Sequence, residues 1–439
     1  MCWLENSNRI NPDREVTLII AIGQVGRRHF SSLVQTLSIM SLVFSVFSVV
    51  SKAEEVMRCI EPNAQNGSSG AVIVGDVPLL HTAQLFPDSG AGDLTQLSTP
   101  VQVDQVLGRL ERVLAEVQSG WNQCVKLNFC VTSASVVPEI RKALSARFSG
   151  THQPAVSYVT TLLPISGAQV SVDAVCCVSD AYLKSGQGRD KPAVLSDAAI
   201  VPAGSRIYVA GQAERSPSLR ESTRKTLESL SATMKFMGRS DADIIQLRAF
   251  IMPMSDAAAV SDEVARFFSP APVPPLILVE WQSSADTPIE IELVGWGGQS
   301  AGKGPEISWA TPPGMTTSPV YSRVARIDRS PSVYVSGLYA DTAGSALNDP
   351  KTGEREVKEV FQTLQRLLGQ AGSDLKHLAK ATYYVSPEAA ANPMLNTLRP
   401  QYYDPKRPPS ASKAVVAGVG ADGFGLTMDM IAVPVISGP

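Results

Sequence analysis

The sequence predicts an α+β fold of three tandem β-β-α-β-α-β-β units, packed as an intrachain pseudo-trimer with the helices outside. Three observations lead there. An opening strand recurs as Leu79-Leu80-His81-Thr82-Ala83-Gln84, Ile207-Tyr208-Val209-Ala210-Gly211-Gln212 and Val333-Tyr334-Val335-Ser336-Gly337-Leu338, with its small residue at Ala83, Gly211 and Gly337. An amphipathic helix follows each opening. A closing strand recurs as Val170-Ser171-Val172-Asp173-Ala174-Val175, Ile289-Glu290-Ile291-Glu292-Leu293-Val294 and Leu426-Thr427-Met428-Asp429-Met430-Ile431, alternating with period 2 and carrying an acid at one step in all three. Two helices cover only one face of a sheet, so the other faces must pack on each other, and a common axis satisfies all three.

Composition fits such a chain. With 439 residues, 44% of them hydrophobic, and a net charge of -3, it can bury a substantial core and divides into several domains. Lys+Arg at 38 against Asp+Glu at 41 leaves no basic excess, which excludes holding nucleic acid mainly by phosphate neutralisation. Four His and six Cys are scattered, with no CxxC or Cys/His ligand spacing, so neither a metal nor another cofactor is expected. The implied partner is a small-molecule metabolite.

In chain order, residues 1–53 read as an export signal or leader. Arg27-Arg28-His29-Phe30 precedes an apolar run from Leu33 to Val50, and Ser51 and Ala53 supply the small residues of a cleavage site near Ala53. The Arg-Arg-x-Phe opening has the form of a twin-arginine signal, which would make the mature protein exported or periplasmic. The alternative is an uncleaved anchor, since the run is about long enough to span a bilayer; Ser38, Ser41, Ser45 and Ser48 dilute it and favour cleavage. On either reading, membrane contact is confined to this segment. Loss of Cys2 leaves Cys59, Cys124, Cys130, Cys176 and Cys177, an odd count read as buried unpaired thiols, with a Cys124/Cys130 disulfide as the alternative.

Unit 1 spans 68–180, unit 2 spans 199–297 and unit 3 spans 320–436, with linkers at 181–198 and 298–319 rich in Gly, Ser, Pro and Asp. The first helix of each unit carries Val103, Val106, Leu107, Leu110, Val113, Leu114 and Val117; Leu227, Leu230, Met234 and Met237; or Val357, Val360, Phe361, Leu364, Leu367 and Leu368, all at helical spacing. Strands follow at Val125 to Val131, Ile244 to Met252 and Leu378 to Val385. A second helical stretch then ends near Phe148, Phe268 or Tyr403, and a proline-marked turn leads into the two closing strands. His81, His152 and His377 have no partner at ligand spacing and read as structural. A chain that already contains its own trimer is expected to be a monomer in solution.

Written out, the repeat resembles the RidA/YjgF family, also described as endoribonuclease L-PSP-like. The matching pieces are Tyr208-Val209-Ala210-Gly211-Gln212, Tyr334-Val335-Ser336-Gly337, Pro154-Ala155 with the strand after it, Ile289-Glu290-Ile291-Glu292, and the order of elements over residues 70 to 436. The resemblance implies a chorismate-mutase-like fold, small-molecule clefts between neighbouring copies, and a cofactor-free deaminase, a hydrolase of 2-imino or 2-enamino acids. It further implies an arginine after the Pro-Ala turn that grips the substrate carboxylate, a glutamate on the last strand that positions water, and a tyrosine before the first strand and an asparagine on the second helix lining the cleft.

Carried over residue by residue, the arginine is missing: Val156, Leu276 and Ala411, or Ser412 with a one-residue shift, stand in its place. The glutamate survives once, as Glu290, against Ser171 and Thr427. The expected hybrid site joins Glu290 of unit 2 to Tyr321 and Asn396 of unit 3, with Gly337, Gly211, Arg407 and Lys413 in substrate binding, one of the two cations replacing the arginine. The alternative function is a non-catalytic member that binds a small metabolite or a protein partner in the same clefts.

Overall fold

The computed structural model describes residues 56–88, 93–148, 150, 152–283, 286–300, 306–328 and 331–435. The leader, its cleavage site and Cys2 lie outside them. Among the described residues no helix is long and apolar enough to cross a membrane.

The chain begins with β1 (Met57–Asn63), β2 (Ser68–Val74) and β3 (Leu79–Thr82), then α1 (Thr99–Glu116), β4 (Cys124–Val131), α2 (Val137–Arg147), β5 (Ala155–Thr160) and β6 (Val170–Cys177). A short α3 (Asp180–Leu183), β7 (Ala193–Val194) and β8 (Ala198–Val201) lead to β9 (Ser205–Gln212), α4 (Leu219–Phe236), β10 (Ile244–Ile251), α5 (Ala257–Phe268), β11 (Leu276–Glu280) and β12 (Ile289–Gly298). The rest is β13 (Ile307–Ala310), β14 (Val324–Ile327), β15 (Ser332–Val335), α6 (Pro350–Gln370), β16 (Leu378–Val385), α7 (Ala391–Leu398), β17 (Ser410–Val415) and β18 (Leu426–Ala432).

Local chemistry sets these bounds. The Ser218 side chain caps α4 by accepting from the Glu221 N–H, Asp349 caps α6 by accepting from Thr352, and Pro100 and Pro350 sit in the first turns of their helices, where an amide hydrogen has no partner to lose. Helix α4 stops at Phe236, so Met237 is its C-cap rather than a helical residue. Tyr403 lies beyond the end of α7, in the turn that follows, yet is buried like Phe148 and Phe268. The 181–198 and 298–319 segments are more than linkers, because each contributes an edge strand, β7 or β13.

Strand pairing recurs with one order: β5-β4-β6-β3-β8-β7, then β11-β10-β12-β9-β14-β13, then β17-β16-β18-β15-β2 with β1 beyond it. In every group the first pair is parallel and the others are antiparallel. A single pairing, Ser69 with Ala155, joins the first and third groups into one sheet.

One feature departs from the expected unit. Each hairpin pairs elsewhere than with the strand that follows it: β8 lies on β3 although β9 follows it, β14 lies on β9 although β15 follows it, and β2 lies on β15 although β3 follows it. Each opening hairpin therefore completes the sheet of the preceding group, and the first hairpin in the chain completes the last. Four-residue and shorter connections, such as Pro202 to Gly204, carry the chain across. Gly204 takes φ +114, a conformation that side chains resist.

Each helix pair covers one sheet group through its own core: α1 and α2 over Leu127 and Val172, α4 and α5 over Leu247 and Ile291, α6 and α7 over Tyr383 and Met428. The opposite faces meet in a shared core that includes Val125, Val175, Tyr208, Val294, Tyr334 and Ile431.

Candidate functional site

The ends of β3, β9 and β15 each approach the parallel edge strand of another group. The N–H groups of Ala83, Ala210 and Ser336 donate to the carbonyls of Asp197, Arg323 and Gly70 at 2.8, 2.9 and 2.9 Å, which fixes these three as equivalent. Gln84, not Ala83, is therefore the counterpart of Gly211 and Gly337. The one-residue offset escaped the sequence because a small residue occupies position 83.

The next residues define three unlike clefts. Between β3 and β11 the Gln84 amide donates to Ser171 Oγ at 2.9 Å and accepts from the Leu278 N–H at 3.0 Å, closing the space with neutral groups. Beside it lies a cavity of about 660 Å³ whose lining, Phe86, Leu163, Met254 and Leu278 among it, carries no charged group. Between β15 and β5 the Gly337 N–H donates to the Val156 carbonyl at 2.9 Å, and Thr427 stands where a carboxylate would be.

Only the cleft between β9 and β17 keeps the acid. The Gly211 N–H donates to Ser412 Oγ at 2.9 Å, and the Glu290 carboxyl lies directly over the Gly211 Cα, where a methyl group would collide with it. Glu290 makes no hydrogen bond to the described residues. Burial, then the neighbouring Glu292 charge, pushes its carboxyl up to about 7, with Arg323 pulling the other way. The Arg323 guanidinium sits 5.2 Å from the centre of the Tyr321 ring and donates to Thr316 Oγ1 at 2.7 Å. Lys413, next to Ser412 on β17, donates to Asn392 Oδ1 at 2.9 Å and Asn396 Oδ1 at 3.2 Å. Burial, then Arg399, holds its amine below the usual lysine range. Ala411 and Lys413 share one face of β17.

Of the residues singled out in the sequence, Glu290 and Gly211 touch, Tyr321 joins them through Arg323, and Lys413 meets Asn396. Gly337 lies apart from this set: it faces Ser157 and Thr427 in the β15/β5 cleft. Arg407 is exposed in the turn after Asp404, and its side chain has no partner among the described residues. Sequence reasoning missed Arg323, whose only signal was a cation two residues after Tyr321.

It also missed what the recurrent acids do. Asp173, Glu292 and Asp429 converge where the three inner faces meet. Arg248 lies 3.2 Å from Asp173 and 3.7 Å from Glu292, Lys380 is 2.7 Å from Glu292, and Lys126 is 3.0 Å from Asp429. Three cations match three anions here, and Lys126, Arg248, Lys380, Glu292 and Asp429 of them line a cavity of about 40 Å³. The signal was a charged residue at alternate steps of otherwise apolar strands.

No family profile matches the chain, and no curated protein does. Solved structures similar to parts of it include a YjgF-family protein from Neisseria meningitidis, 19% identical over 28% of this chain and 96% of that one, with a TM-score of 0.21. A conserved Rid-family protein of unknown function from Yersinia pestis is 24% identical over 28% and 99%, with a TM-score of 0.25. The YjgF gene product of E. coli is 25% identical over 22% and 84%, with a TM-score of 0.20.

Proposed function

We propose that the chain is three diverged RidA/YjgF-like copies in tandem, exported behind its leader, and that its β9/β17 cleft hydrolyses an imine or enamine to a carbonyl compound and ammonia without a cofactor. The observation that carries this reading is the Glu290 carboxyl, half-buried over Gly211 without a hydrogen-bond partner among the described residues, its pKa pushed up to about 7 by burial and the neighbouring Glu292 charge. As carboxylate it takes a proton from water while the water oxygen bonds to the C=N carbon and the C=N electron pair moves to nitrogen; that proton and the one on the new hydroxyl then pass to nitrogen, the C–N bond breaks, and ammonia leaves a C=O group behind, with Glu290 again a carboxylate. The tandem reading is supported by the threefold recurrence of strand order.

With Val156, Leu276 and Ala411 in the arginine position, a substrate carboxylate has no bidentate fork. Each lost charge-assisted bond is worth about 1.5–3 kcal/mol, so the preferred substrate lacks a carboxylate or holds it by the point charge of Lys413 or by Arg323.

The test is to generate imines in situ with an amino-acid oxidase, from amino acids and from simple amines, and to follow ammonia release. Acceleration that falls about 10²- to 10⁴-fold in Glu290→Gln is the expected result. No acceleration by the natural chain, or none lost in the variant, overturns the hydrolase. The uncharged 660 Å³ cavity favours a second reading, a non-catalytic metabolite-binding member. On that reading, ligand-induced stabilisation persists in Glu290→Gln.

A further inference from the structure

A thiol and an imidazole that the site above does not use meet 93 residues apart in sequence. Cys59 is on β1, and His152 lies just before β5. His152 Nε2 is 2.9 Å from the Cys124 carbonyl oxygen, which can only accept, so Nε2 carries the hydrogen. The other nitrogen, Nδ1, is thereby left with its lone pair facing Cys59 Sγ at 3.7 Å. A nucleophile, a base beside it and a third group fixing the base's orientation form the arrangement that activates a cysteine. The Gln153 N–H, 3.4 Å from the sulfur, is a second donor to a thiolate. Sγ also lies 3.2 Å from the Gln153 carbonyl, the competing acceptor for the neutral thiol's hydrogen.

Burial opposes charge on both groups. Even so, hydrogen bonds from His152, Gln153 and Ser69 hold the Cys59 thiol below its ordinary range, and Cys59 with the Cys124 carbonyl raises the imidazole above its own. Among the described residues, no carboxylate is a cause of the shift at His152. Cys59 is partly exposed, whereas Cys124, Cys130, Cys176 and Cys177 are buried.

We propose that Cys59 and His152 form a modification site at which the thiolate is oxidised by a small hydroperoxide. The thiolate attacks one peroxide oxygen, an S–O bond forms and the O–O bond breaks. The departing oxygen takes the His152 Nδ1 proton and leaves as water or an alcohol. Sulfur loses two electrons, the peroxide gains them, and the product is a sulfenic acid. A leaving oxygen needs a proton, and the imidazolium beside the sulfur is placed to give it; this is why a hydroperoxide rather than an alkylating agent fits. The site stands independently of the β9/β17 cleft.

The experiment uses the full chain. Hydrogen peroxide with a sulfenic-acid-trapping dione, followed by peptide mass mapping, should label the Cys59 peptide about tenfold faster than in His152→Gln, the ratio expected when a thiol pKa rises by about one unit. Equal rates, or label only on other cysteine peptides, overturn the proposal. If His152→Gln fails to fold, the natural chain decides. Iodoacetamide alkylation of Cys59 with a midpoint clearly below about 8.5 supports the proposal, and a midpoint at or above that value overturns it.

Discussion

Glu290 is the residue on which activity and stability pull in opposite directions. The fold raises its carboxyl from 4.5 to about 7, so the protonated form is the one the native state favours. That contribution to stability is fully present below 4.5 and disappears as pH rises through about 7. Activity needs the base form and should rise through the same midpoint. Denaturation midpoints of the natural chain and Glu290→Gln should therefore diverge as pH rises from 4.5 to 7, while the rate profile climbs. Parallel stability curves would show that the fold does not raise this carboxyl. Gly211→Ala tests the geometry: the added methyl group meets the Glu290 side chain, so catalysis should fall by an order of magnitude or more, with a loss of stability of about 1–3 kcal/mol from the overlap. A retained rate would mean that the carboxyl does not act from this position. Glu290 and Gly211 were both legible from local motif. Their contact was not, because Gly337 carries the same motif in another cleft and only strand pairing separates the two.

At the scale of elements, the strands are amphipathic in an unusual sense. Both faces are buried, one under helices and one against the other sheet groups, and the second face is broken by paired charges. Replacing Arg248 with methionine should cost about 3–5 kcal/mol in chemical denaturation, because it leaves the buried Asp173 without its ion-pair partner, while Glu292 keeps Lys380. Loss below about 1 kcal/mol would mean that water reaches the cluster and screens it. The long helices were legible as elements, since an apolar stripe with a period of 3.6 has one reading, but not in their ends: Val117 and Met237 are C-caps, and Tyr403 lies beyond the helix that stops at Leu398. The edge strands β7 and β13 were not, because two- and four-residue strands in Gly/Pro/Ser-rich segments carry too few alternations to register.

At the scale of the molecule, exchange of hairpins links the groups in a closed circuit, and the first hairpin carries the closure. Removing residues through Val74 should bare the edge of β15 and leave Ala71 and Val72 out of their cores. Light scattering should then find a monomer for the intact chain and self-association or precipitation for the shortened one. A shortened chain that stays monomeric and equally stable would mean that the hairpin is dispensable. The identity of the long helices and of the longer strands, and the presence of Glu290 on β12 with Val156, Leu276 and Ala411 at the starts of β5, β11 and β17, are properties of residue order and spacing, so the sequence by itself determined them. Which strand each hairpin joins, which glycine faces Glu290, and the convergence of Asp173, Glu292 and Asp429 were decided by tertiary structure. A backbone strand accepts any partner whose hydrogen bonds and apolar face match its own, and several equivalent partners were on offer.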